Sequence, residues 1–275
     1  MSGPEISPDK AVSLLQDLTT IVAQACAEIR AVSPTTVAHR LKPDQSPVTA
    51  ADEASEATIL RGLARLLPDV PVISEESAHN AQTVSLNESF LVVDPLDGTR
   101  EFLAGRDEFT VNLSIVTRGV PIAGIIAAPA RDQLWRGIVG KKAERMRLTG
   151  DSVDAATAIR TRRWPDQGAV ATISRSHLDS STEAFLKSLG PTTRQASGSA
   201  IKFCQIAEGS ADIYPRLATT CEWDVAAGHA LVVAAGGRVQ APQGTPLAYG
   251  RAAENFRVPA FIAWGDPARA IAVKV

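Results

Sequence analysis

Phe90-Leu91-Val92-Val93-Asp94-Pro95-Leu96-Asp97-Gly98-Thr99 is an apolar run that ends in two carboxylates three residues apart. The run predicts a β-strand over Phe90–Val93, and the turn residues after it predict a change from strand to short helix. Pro95 fixes its own φ, and Gly98 permits close approach of another backbone. At such a turn Asp94 and Asp97 converge on one point, and the amides of Gly98 and Thr99 are placed to hold a phosphate. An Asx turn with a capped helix accounts for either aspartate, but not for both beside Gly-Thr.

Three other acidic segments support this reading. Pro47-Val48-Thr49-Ala50-Ala51-Asp52 puts a carboxylate at a helix start, Ser74-Glu75-Glu76-Ser77 ends a short strand, and Glu222-Trp223-Asp224-Val225-Ala226-Ala227-Gly228 puts Asp224 at another helix start. Singly, each reads as an N-cap or a solvated charge. Together they describe an oxygen-rich pocket, and without nearby Cys or His ligands such a pocket suits Mg²⁺ or Mn²⁺ better than Zn²⁺.

Outward from these segments, helical periodicity spans Pro8 to Pro34 and about Ala51 to Leu66. Strands are expected at Val70–Ile73, Phe109–Val116, Val120–Ala127 and Gln133–Val139. In the second half strands are expected at Ala169–Ile173, Ala211–Tyr214 and Val258–Ala263, and helices at Ser180–Leu189, Ala200–Ala207 and Asp224–Ala235. The interleaving predicts a layered α/β architecture. Residues 140–167 are the most polar and basic, so they are expected to connect two domains, residues 1–155 and 156–275, and to contain one strand.

Over 275 residues, 28 Lys plus Arg against 30 Asp plus Glu give a formal net charge of −2, which argues against a protein that coats nucleic acid. Three separated cysteines without a CxxC pair argue against a disulfide framework and for a reducing compartment. The polar start MSGPEISPDK lacks the apolar core of a signal peptide, and Val225–Gly236 is too short to span a bilayer. A cytoplasmic protein is expected. Peripheral association with the inner face of the cell membrane stays open, though nothing amphipathic demands it.

The four acidic segments, in this order over residues 47–228, resemble the lithium-sensitive, magnesium-dependent phosphatase superfamily that includes inositol monophosphatase and fructose-1,6-bisphosphatase. Within it, Ile173–His177, the stretch Gly198-Ser199-x-x-Lys202-Phe203-Cys204 through Tyr214-Pro215-Arg216, and Trp223–Ala235 resemble the CysQ-type 3'(2'),5'-bisphosphate nucleotidases. The chain departs from that branch at Leu91, where Trp is usual.

The resemblance implies an αβαβα five-layer sandwich and two or three Mg²⁺ per site, with Mn²⁺ the alternative. It implies that Glu75, Asp94 and the Leu96 carbonyl hold one cation, and that Asp94, Asp97 and Asp224 hold a second. Asp52 and Thr99, with Glu75, would then orient and deprotonate the attacking water, while Glu76 supports this set or a further cation. Gly98, Thr99, His177, Ser199, Lys202, Arg216 and Asp224 would contact the substrate, with Lys202 and Arg216 on its 5'-phosphate and Ser174 and Arg175 as supports.

The activity so implied is removal of the 3'-phosphate of adenosine 3',5'-bisphosphate, and of 3'-phosphoadenylyl sulfate, in sulfur assimilation. An inositol-1-phosphate or sugar phosphatase is the alternative within the enzyme class, and a non-catalytic nucleotide or metal sensor is the alternative outside it. Monomer and homodimer are both open. Cys221, close in sequence to Asp224, is inert or responds to oxidation.

Overall fold

The computed structural model describes residues 4–42, 46–78, 88–175 and 178–271. Helix α1 (Pro8–Ala31) begins where Ser7 accepts a hydrogen bond from the Lys10 amide, with proline in the first turn, where an N–H would find no partner anyway. After the hairpin β1 (His39–Leu41) and β2 (Pro47–Thr49), helix α2 (Ala50–Leu66) starts in a capping box. Thr49 accepts from the first turn of the helix, and Asp52 returns the bond to the Thr49 amide.

The chain then builds one large sheet from β3 (Val72–Ser74), β4 (Ser89–Asp97), β5 (Thr110–Thr117), β6 (Val120–Ala128), β7 (Gln133–Ile138), β8 (Lys142–Thr149), β9 (Ser152–Val153) and β10 (Thr157–Ala158). Its order is β10-β8-β7-β6-β5-β4-β3, with β9 on β8. Short helix α3 (Thr99–Leu103) follows β4 directly.

A second sheet has the order β12-β11-β13-β17-β15, from β11 (Ala169–Ser174), β12 (Thr192–Ser197), β13 (Ile213–Arg216), β15 (Arg238–Gln240) and β17 (Phe261–Trp264). Helices α4 (Ser180–Ser188), α5 (Ile201–Ala207) and α6 (Glu222–Ala234) accompany it, and β14 (Thr220–Cys221) pairs with β16 (Arg257–Val258).

Five layers result. α1 and α2 cover one face of the large sheet, α6 and α5 lie between the sheets, and α4 covers the far face of the second. The alternation along β17 produces the last two contacts. Phe261 and Ala263 join the core of α5 and α6, while Ile262 and Trp264 pack with Phe185 and Leu186 of α4. α6 crosses the large sheet so closely that a Cβ on Gly124 would lie 2.2 Å from the Ala227 carbonyl oxygen. A helix from late in the chain thereby delivers its N-terminus to the end of a strand from the first half.

Three expectations are corrected. Residues 140–167 carry three strands, not one, and β8 extends the large sheet. Met146 and Leu148 alternate with Arg145 and Arg147, a period-2 pattern that the basic face concealed. β12 was not expected because only its last residue is buried, so it has no apolar face to read. The strand expected over Val258–Ala263 is two, since β16 and β17 pair with different partners on either side of Pro259, which has no N–H to give a ladder. Among the described residues no helix is long and apolar enough to cross a membrane.

Candidate active site

β4 breaks its regular pairing with β5 between Asp94 and Asp97, and Gly98 then takes φ 96° ahead of α3. This kink places Asp94 and Asp97 on the same side of the strand end. α6 brings Asp224 to meet them, and carboxylate oxygens of the three lie within 4.8 Å of one another. Asp224 is itself fixed, because its Oδ2 accepts from the Cys221 amide at 3.0 Å and from the Thr220 hydroxyl. Glu75, just after β3, lines the same cavity of about 440 Å³.

Asp94 is buried, and Glu75, Asp97 and Asp224 are half-buried beside it. Burial, then Glu75, Asp97 and Asp224, hold Asp94 well above the usual carboxylate range. Burial, with Asp224 beside it, pushes Asp97 up to about 7 against Lys202 and Arg216. Burial also pushes Glu75 up to about 7, although Lys42 donates to it at 2.7 Å. Asp94 Oδ2 is buried without a hydrogen-bond partner among the described residues. Like charges this close are stable only when protonated or when a cation lies among them. An all-oxygen donor set with an unpartnered buried oxygen therefore fits hard divalent cations.

Groups with raised native pKa bind protons more tightly folded than unfolded, so their stabilisation is complete below the ordinary carboxylate pKa and lost as pH rises through about 7. Without divalent cations the melting temperature should fall between pH 5 and pH 8. Added Mg²⁺ should raise it more at pH 8, because binding no longer has to displace protons. Melting curves in chelator and in Mg²⁺ at both pH values check this, and a Mg²⁺ shift independent of pH would count against the cluster as a cation site.

Behind the acids stands a second group. Thr99 Oγ1 donates to Asp52 Oδ1 at 2.9 Å, while Asp52 Oδ2 accepts from the Thr49 amide and hydroxyl at 2.8 and 2.7 Å. Asp52 is 1% exposed and does not line the cavity, which it reaches only through Thr99. The Leu96 amide donates to Asp94 Oδ1 at 3.1 Å, and Leu96 lines the cavity.

The opposite wall is cationic. Lys202, 2% exposed, donates to the carbonyls of Ser199 and Ser197 at 2.6 and 3.1 Å, and burial lowers its pKa to about 8. Arg216 leaves the end of β13 with its Nε buried and, among the described residues, without a hydrogen-bond partner. Ser199, at φ 47°, presents its hydroxyl 2.8 Å from both the Asp97 and the Glu108 carbonyl oxygens, joining the two walls.

Thus Glu75, Asp94, Leu96, Asp97, Gly98, Thr99, Ser199, Lys202, Arg216 and Asp224 share one cavity. Ser174 and Cys221 line it too, and burial pushes the Cys221 thiol up to about 12. Arg175 does not line the cavity. It forms a two-point ion pair with Glu108 at 2.7 and 2.8 Å, and so fastens the loop before β5 to the second sheet. Glu76 pairs with Lys42 at 2.7 Å. His177 lies outside the described residues.

The sequence reading missed Lys42 and Glu108, whose roles depend on partners 33 and 67 positions away. It also missed Arg257, which lines the cavity from β16.

Comparison with known proteins agrees with this geometry. The profile described as the inositol monophosphatase family matches residues 9–263. The 3'(2'),5'-bisphosphate nucleotidase CysQ of Escherichia coli (strain K12) is 41% identical over 220 residues, covering 80% of this chain and 86% of that protein. The protein of the same name from Haemophilus influenzae is 28% identical over 255 residues, 92% of this chain and 93% of that protein. Among solved structures, CysQ from Bacteroides thetaiotaomicron, described as a bacterial member of the inositol monophosphatase family, superposes with a TM-score of 0.77 at 32% identity, over 94% of this chain and 97% of that one.

Proposed function

The chain belongs to the inositol monophosphatase family, and we propose that within it the protein is a Mg²⁺-dependent 3'(2'),5'-bisphosphate nucleotidase. Its substrate is adenosine 3',5'-bisphosphate, hydrolysed to AMP and phosphate, with 3'-phosphoadenylyl sulfate as a second substrate, a reaction that belongs with sulfur assimilation in the cytoplasm. The observation that carries this reading is one cavity with an acidic wall and a cationic wall, whose buried Arg216 Nε has no hydrogen-bond partner among the described residues. A substrate with a single phosphate occupies the acidic wall and leaves Lys202 and Arg216 without an anion. A doubly phosphorylated one matches both.

In this reading Glu75, Asp94, the Leu96 carbonyl, Asp97 and Asp224 would hold the Mg²⁺ ions, whose bound charge would supply neutralisation of the phosphate and activation of water. The protein's own groups do the rest. Asp52, held at one oxygen by Thr49, accepts a hydrogen bond from the Thr99 hydroxyl, which leaves the oxygen of cavity-lining Thr99 as an acceptor for the attacking water. Gly98, with no side chain, allows the backbone at the start of α3 to approach the reacting phosphate. Lys202 and Arg216 orient the second phosphate by charge-assisted hydrogen bonds.

Phosphate release from adenosine 3',5'-bisphosphate and from inositol 1-phosphate, each with Mg²⁺, tests the proposal. The bisphosphate should be hydrolysed faster. Arg216→Ala should lower kcat/KM for it by about thirtyfold, as for loss of a buried charged hydrogen bond. Faster hydrolysis of inositol phosphate would replace this reading by that of a sugar phosphatase. No hydrolysis of any ester, with Mg²⁺ binding intact, would indicate a sensor.

A further inference from the structure

The segment from Tyr249 to Val258 is a strap laid across the start of α6, and its construction is unusual for a surface connection. Glu222, fully buried in the first turn of α6, accepts the Gly250 amide at 2.7 Å and the Arg251 amide at 2.9 Å on its two carboxylate oxygens. Its own amide donates to the Phe256 carbonyl at 2.9 Å. Asn255 and Phe256 both take positive φ, 53° and 55°, although neither is glycine. Two successive left-handed residues cost roughly 1–2 kcal/mol each and persist only where surrounding contacts impose them. Here those contacts are the Glu222 anchor and the burial of Phe256, which is 2% exposed and lies against the Trp223 ring with centroids 6.2 Å apart.

The strain delivers the next residue to a defined place. β16 pairs with β14 so that Arg257 lies opposite Cys221, three positions before Asp224. Arg257 lines the active-site cavity at its exposed rim, and among the described residues it forms no ion pair with a carboxylate. Phe256 could be buried with Arg257 turned to bulk solvent. Instead the strained pair and the two-strand ladder place Arg257 among the residues that line the cavity, beside the same helix start that carries Asp224.

We propose that Arg257 is a specificity-determining residue that binds the phosphate not being hydrolysed from the solvent side, together with the less exposed Lys202 and Arg216 of the same cavity, and that Glu222 is the positioning residue that keeps it there. This rests on the bisphosphate nucleotidase reading. Three cations then surround the distal phosphate, and the exposed one selects doubly charged substrates at entry. A planar guanidinium fits that role because its paired N–H groups match two phosphate oxygens at once.

The test compares kcat/KM for adenosine 3',5'-bisphosphate with that for 3'-AMP, which lacks the 5'-phosphate, both with Mg²⁺. In Arg257→Gln the ratio should fall about tenfold, through KM rather than kcat. Arg257→Lys should restore only part of it, since the charge returns without the fork. Glu222→Gln, which loses one of two acceptor oxygens, should lower the ratio in the same direction, and its melting curve reports whether the fold survives. An unaltered protein that prefers the bisphosphate, with a ratio unchanged within twofold in Arg257→Gln, overturns the inference alone. An unaltered protein with no such preference overturns the nucleotidase reading, and the inference with it.

Discussion

Asp97→Asn should lower Mg²⁺-dependent phosphate release by about three orders of magnitude, about 4 kcal/mol of barrier. Asp97 lies half-buried at the kink of β4, within reach of Asp94 and Asp224, so an amide there keeps the shape and removes one unit of negative charge. If the acids exist to hold cations, that charge is what matters. The same change should have the opposite effect on stability. Without divalent cations Asp97 adds to the repulsion on Asp94, so the variant should melt higher than the unaltered protein in chelator near pH 8, and Mg²⁺ should stabilise it less. Higher metal-free stability with lost turnover separates a cation ligand from a merely structural aspartate, whose loss would lower both. Turnover within tenfold of the unaltered protein would remove Asp97 from the cation set.

Much of this site was legible because its acids are local features. Asp94 and Asp97 lie in one hexapeptide, and Asp52 and Asp224 each occupy the third position of a helix that starts in a capping arrangement. Such positions are set by turn and cap chemistry within a few residues, which sequence displays directly. The five layers were expected from the family resemblance, and the helix and strand periodicities agreed with them. What escaped has a common cause. Lys42 matters only because a hairpin folds it onto Glu75 and Glu76, and Glu108 only because Arg175 crosses from the second sheet. Arg257 matters only because β16 is laid against β14. No local pattern marks a lone cation as paired, and edge strands such as β12 lack the buried face that would have announced them.

Gly98→Ala should cost more activity than its size suggests. Gly98 has φ 96°, where an alanine loses roughly 1–2 kcal/mol, and the new Cβ would fall 2.3 Å from Ser199 Oγ. Ser199 cannot simply rotate away, because its hydroxyl lies against the Asp97 and Glu108 carbonyls, and its carbonyl accepts from Lys202. The clash therefore pushes at once on the acidic wall, through Asp97, and on the cationic wall, through Lys202. Misplacement of reacting groups by about 1 Å lowers rates by about 100-fold, so kcat should fall at least that far. Stability should drop by roughly 2–3 kcal/mol, several degrees in melting temperature. The double variant Gly98→Ala with Ser199→Gly separates the two causes. Glycine at 199 removes the clashing oxygen and tolerates the positive φ found there, but leaves the strain at 98. Partial recovery of kcat over Gly98→Ala alone would assign the loss to contact between the walls. Additive losses would assign it to the local backbone of the turn, and the two walls would then not be coupled through Ser199.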